Sequence, residues 1–161
     1  MGSHDDAATT RRTPSKWAVL YTVLVMTFMA TLDSSIVNVA LPVMARELGV
    51  EMGQIQWVAS IYLLISCSVI LIFGRLGDLF GMTRVYQAGV ALFTLGSALC
   101  ALSGSLPLLI VGRAVQSLGG GAALANNMGI ITQAFPAHER GKSLGMVASF
   151  VALGTLTGPT L

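Results

Sequence analysis

The chain has 161 residues, of which 54% are hydrophobic and only 10% charged, and its mean hydropathy is +0.77. Water-soluble domains carry about a quarter of their residues as charges, so this composition fits lipid as its solvent. The net charge of +2 is scattered and forms no basic stripe, which argues against a nucleic-acid partner. Cys67 and Cys100 each lie within an apolar run and read as small buried hydrophobes, with no spacing that suggests a metal site or a disulfide framework.

Residues 1–15 read as a short disordered cytoplasmic tail, and residues 16–161 as a partial transmembrane bundle. A bilayer core about 30 Å thick needs about 20 mostly apolar residues per helix. The predicted helices cover about 17–41, 55–73, 85–102, 107–133 and 143–161. Pro107 opens the fourth, in keeping with proline at a first helical turn. Helix is the only choice here, because open strands cannot satisfy their backbone in lipid. A twin-arginine signal at Arg11-Arg12 fits poorly: Pro14 and Ser15 stand where its hydrophobic part belongs, and further spans follow.

Orientation follows from the loop cations. Arg11, Arg12, Lys16, Arg75, Arg84, Arg140 and Lys142 fall on one side, and Arg46 alone on the other. Seven against one puts the N-terminus in the cytoplasm of a multi-pass cell (inner) membrane protein. Trp17 and Trp57 suit interfacial anchors on the inner and outer sides.

Four features interrupt the apolar pattern, and the first two are charges. Asp33 lies eight residues before Leu41, about 12 Å inside the outer boundary. An intramembrane carboxylate is costly and normally faces a cavity or a partner, which makes Asp33 a candidate proton acceptor. Arg113 lies about 9 Å below the same boundary on the fourth helix, a natural partner at matching depth. Arg113, Gln116, Gly120 and Asn127 share one face of a helical wheel and read as cavity lining, whereas Asn126 points elsewhere and reads as packing.

The glycines form a further pattern. Gly119-Gly120-Gly121 let another backbone approach closely in a membrane. Gly154 and Gly158, followed by Pro159, thin one face of the fifth helix and permit a kink. Between the second and third helices, Gly74, Gly77 and Gly81 allow a tight reversal, and Asp78 can receive backbone N–H groups or an arginine. Such a turn is either a latch between moving parts or an ordinary solvated connection.

These features in this order resemble the major facilitator superfamily. The turn from Gly74 to Arg84 resembles its GxLxDxxG signature loop, with Gly74, Gly77, Asp78 and Gly81 at the motif positions. Arg113 to Gly119 looks like the RxxQGxG element of its fourth helix, with Ser117 in place of a glycine. Gly154 to Pro159 is similar to the GxxxGP antiporter motif, and Pro136 to Lys142 to the usual connection between helices 4 and 5. Leu32 to Pro42, which includes Asp33 and Asn38, resembles the LDxTIVNVALP element of the fourteen-helix drug/proton antiporters, the EmrB/QacA-type branch; Ser35 stands where threonine is usual. Leu79, Met82 and Thr83 stand where the loop often has basic residues.

The resemblance implies alternating access between two helical bundles. Asp33 would exchange a proton against a hydrophobic or cationic small molecule, tuned by Arg113. Asn38, Gln116, Gly120 and Asn127 would line the cavity. Gly74, Gly77, Asp78, Gly81 and Arg84 would form the gating loop, and Gly154, Gly158 and Pro159 would seal the bundle interface. Twelve or fourteen helices need far more than 161 residues, so this polypeptide is expected to be an N-terminal portion that does not transport alone. The alternative is a small self-assembling membrane protein complete at this length. No nucleophile–base pair, metal cluster or phosphate loop points to an enzyme or a cofactor; His4 lies in the tail and His138 in a connection.

Overall fold

The computed structural model describes residues 15–160, and the tail expected at 1–15 lies outside them except for Ser15. The described residues form five α-helices: α1 (Lys16–Leu48), α2 (Met52–Phe80), α3 (Met82–Ala101), α4 (Leu106–Ala134) and α5 (Ala137–Thr157). A short 3₁₀ turn, Gly158–Thr160, follows. Helices α1, α2, α4 and α5 are long and apolar enough to cross a membrane. With 20 residues, α3 is the shortest, about 30 Å long.

Most helices run past their apolar spans. α1 continues through Pro42 to Leu48 and closes on Gly49, whose φ of 64° is the left-handed conformation that commonly ends helices. Gly49 N–H and Val50 N–H donate to the carbonyls of Arg46 and Ala45 there. The expected loop between the second and third helices shrinks to a single residue. Gly74, Gly77 and Asp78 belong to α2, and Gly81, at φ 97°, alone separates α2 from α3. Of the three glycines only Gly81 makes the turn, while Gly77 packs closely inside α2 and Gly74 has open space beside it. α5 begins at Ala137, six residues earlier than the apolar run, because Pro136 and the polar residues after it start the helix in the aqueous layer.

α4 is the hub. It carries 14 buried residues, against two on α5, and packs against α1, α2, α3 and α5. Its small residues explain the fit, since without a hydrophobic force between helices in lipid, close backbone approach supplies the packing energy. Gly119 lies against the backbone of Phe93 and Gly89 on α3, and Gly96 of α3 lies against the backbone of Gln116. Gly120 faces Tyr62, and Gly121 faces Ser66 and Val69, all on α2. Three consecutive glycines therefore serve two neighbouring helices at once, which wedges α4 between them.

Two apolar clusters lie toward opposite ends. One centres on Leu20, Leu24, Tyr86, Phe93 and Ile131, the other on Leu41, Ala45, Ile55, Val58 and Leu109. The polar centre lies between them.

Candidate functional site

Asp33 on α1 and Arg113 on α4 meet. Arg113 Nη1 donates to Asp33 Oδ2 at 2.6 Å. The guanidinium side chain is only 4% exposed, while Asp33 retains 25%. Gln116, one turn along α4, joins both: its Oε1 accepts from Arg113 Nη1 at 2.7 Å, and its Nε2 donates to Asp33 Oδ1 at 3.0 Å. The same Nε2 donates to Ser97 Oγ on α3 at 2.8 Å. Spacing of three residues puts Arg113 and Gln116 on one helical face, so one rotamer choice closes the ring.

Both oxygens of Asp33 act as acceptors, the arrangement of an ionised carboxylate. A proton on either oxygen would turn an acceptor into a donor and displace Arg113 or Gln116.

Two participants were not singled out from sequence. Ser97 fixes the amide of Gln116, and its own hydroxyl donates to Phe93 O at 2.9 Å. Tyr62 on α2 places its ring 5.7 Å from the guanidinium carbon of Arg113, a cation–π contact. A tyrosine in mid-span carried the signal, since its buried body and polar tip call for a polar neighbour.

The residues expected as cavity lining have different surroundings. Asn38 and Arg113 border a cavity of about 40 Å³ together with Ser34 and Tyr62. Gln116 is fully buried, Gly120 lies under the Tyr62 hydroxyl, and Asn127 donates through Nδ2 to Thr27 Oγ1 at 3.2 Å. None of these three borders that cavity. The wheel identified their shared face, but α1, α2 and α3 cover it. Asn126 packs as expected, and more specifically: it fills the space left by Gly77, and its Nδ2 donates to Phe73 O at 3.2 Å. Gly77 thus serves the contact between α2 and α4.

At the α2–α3 turn, Asp78 and Arg84 are both exposed and border one open pocket with Gly81. Neither side chain makes a hydrogen bond among the described residues. Gly74 has nothing within contact distance of where a side chain would start. At the other motif, a side chain on Gly154 would meet Thr31 and the Phe28 carbonyl of α1, and one on Gly158 would meet Ser35. Ser35 Oγ donates to Thr155 O at 2.9 Å. Pro159 lies in the 3₁₀ turn, where α5 has already ended. The stretch from Thr31 to Ser35 therefore presents Asp33 to α4 and its flanks to α5.

The end bearing most cations is tied together. Lys16 Nζ donates to Glu139 Oε2 at 2.6 Å and sits over the rings of Trp17 and Phe135. The hydrogen bond from Lys16 holds the Glu139 carboxyl below the usual carboxylate range. Arg140 caps α4, donating from Nη2 to Thr132 O at 2.8 Å and from Nε to Phe135 O at 3.1 Å.

Helices long and apolar enough to span a bilayer, packed on a glycine-rich hub around a buried acid–guanidinium pair, define a polytopic membrane bundle. The chain belongs to the Major Facilitator Superfamily, whose family model matches residues 23–161. It is 42% identical over 146 residues to the riboflavin transporter RibZ of Clostridioides difficile, a match covering 91% of this chain and 32% of that transporter. It is 41% identical over 135 residues to the multidrug resistance protein Stp of Mycobacterium tuberculosis, covering 83% of this chain and 25% of Stp. Multidrug resistance protein 3 of Bacillus subtilis is 33% identical over 156 residues, 97% of this chain and 30% of the relative. The chain thus spans about a third or less of the length of these relatives.

Proposed function

We propose that these helices form the N-terminal, proton-coupling part of an antiporter that exports hydrophobic or cationic small molecules by alternating access. The carrying observation is the ion pair between Arg113 Nη1 and Asp33 Oδ2 at 2.6 Å, bridged by Gln116 between two cores. Asp33 takes up the proton, and Arg113 stabilises its ionised form until it does. The glycine face of α5 on Thr31 and Ser35 gives a tight seam next to the acid. Similarity to two multidrug resistance proteins supports the substrate class. The excess of Lys16, Arg84, Arg140 and Lys142 at one end supports a cytoplasmic N-terminus in the cell membrane.

A second reading takes riboflavin as substrate, favoured by the 42% identity to a riboflavin transporter. Both readings use the same acid, and the ligand distinguishes them.

Infrared titration of the purified chain in detergent tests the coupling reading. The expected result is a protonated-carboxyl band that grows as pH falls and is missing in Asp33→Asn. No Asp33-dependent band between pH 4 and 9 (about five decades of proton activity) would sink it. Fluorescence titration with a lipophilic cation against riboflavin then chooses the substrate: saturable binding of riboflavin alone overturns the drug reading.

A further inference from the structure

Among the described residues, Arg113 Nε and Asn127 Oδ1 are buried side-chain atoms without a hydrogen-bond partner. The first belongs to a side chain that borders the cavity of about 40 Å³ beside the ion pair. Buried polar atoms are almost always satisfied, so the Arg113 side chain, which borders this space, still holds a donor without a partner.

The walls narrow the choice. Ser34 and Asn38 of α1, Tyr62 of α2 and Arg113 of α4 all bring N–H or O–H donors, the remaining walls are aliphatic, and no carboxylate borders the space. A single water needs roughly 10–15 Å³ on this scale, so the space holds about three or four waters or one monatomic anion in their place. Donors, a guanidinium and no acid are the chemistry of an anion site.

Charge decides when it fills. Arg113 does not lose its proton, and Asp33 is its counter-charge. With Asp33 ionised the guanidinium charge is already compensated and a further anion gains little. With Asp33 protonated, a buried guanidinium is left unpaired, which is strongly unfavourable in a low dielectric. We infer that the cavity takes up a small monovalent anion of halide size when Asp33 is protonated, the anion replacing the carboxylate as partner of Arg113. This rests on Asp33 being the proton acceptor. Linkage makes the effect reciprocal: the anion favours the proton, and the proton favours the anion.

Few other groups compete. The titratable side chains near Arg113 are Asp33 on α1, Tyr62 on α2 and Cys100 on α3, whose Sγ lies 4.0 Å from Gln116 Oε1. The ionisable residues of α5 (His138, Glu139, Arg140 and Lys142) sit in its first two turns, at the opposite end from the contact with Ser35.

Chloride-35 NMR line broadening on the purified chain in non-ionic detergent, titrated from chloride-free buffer, tests the inference. Wild type is expected to bind chloride saturably at acid pH and at least tenfold more weakly at alkaline pH. Asp33→Asn, which removes the negative charge permanently, should bind at both. Asn38→Leu, with helicity unchanged, should weaken acid binding at least tenfold. If folded Asp33→Asn shows no saturable binding, water alone fills the cavity and the inference is wrong, while the infrared titration of Asp33 still stands. If wild type binds chloride equally at all pH values, the proton link fails, and the infrared band shows whether Asp33 titrates at all.

Discussion

Gln116 bonds both members of the ion pair at once, accepting from Arg113 at 2.7 Å and donating to Asp33 at 3.0 Å. It makes the acid and the guanidinium one unit rather than two neighbouring charges. Because its amide is also bonded to Ser97, movement of the acid is felt on α3 as well as on α1 and α4.

Removing one partner of this buried pair should be severe. Arg113→Ala leaves the Asp33 carboxylate without its cation, and a loss of about 3–5 kcal/mol is expected. Arg113→Lys restores the charge but lacks the planar fork, so it should recover only part. Thermal unfolding in detergent measures both. Equal melting temperatures for wild type and Arg113→Ala would contradict the energetic role of the pair.

The glycine seam predicts opposite effects for one kind of substitution. Gly96→Ala places a methyl against the backbone of Gln116, and overpacking of this sort costs about 1–3 kcal/mol. Gly145, in the middle of α5, has nothing within 4 Å of where its Cβ would stand. Gly145→Ala should therefore leave stability unchanged or raise it by up to about 1 kcal/mol, the difference in helix propensity. The sign difference is the readout in parallel unfolding curves.

The clasp between Lys16 and Glu139 should depend on pH in one direction. The hydrogen bond from Lys16 lowers the carboxyl's proton affinity in the folded state. Its contribution is therefore present above the unfolded value, about 4.3, and is lost as pH falls through the lower folded value. Glu139→Gln should melt below wild type at pH near 7 and match it in strong acid. A gap that widens in acid would show that another group controls this end.

Reconstituted by itself, the chain should show no efflux driven by a pH gradient, because alternating access requires two bundles that rock about a central site. Proteoliposomes loaded with a fluorescent lipophilic cation provide the assay. Gradient-dependent efflux by these 161 residues would favour a self-assembling transporter.

Local chemistry settled much of this protein. Apolar runs of about 20 residues specify helices in lipid, since no other open structure satisfies the backbone there. The depths of Asp33 and Arg113 follow from helical rise alone, and the pairing expected from them is the contact observed. The ends of the helices were less legible. Gly74 to Phe80 look like a turn by composition, yet form the last turns of α2, where Gly77 leaves room for Asn126. Only the tertiary structure decided which neighbour each polar or small residue meets. Gln116 and Asn127 lie on the expected face, and the contacts they make there join α4 to α1 and α3. Ser97 and Tyr62 join the site from α3 and α2. Hydropathy and helical period are read along one helix, whereas these contacts depend on how helices pair across the bundle.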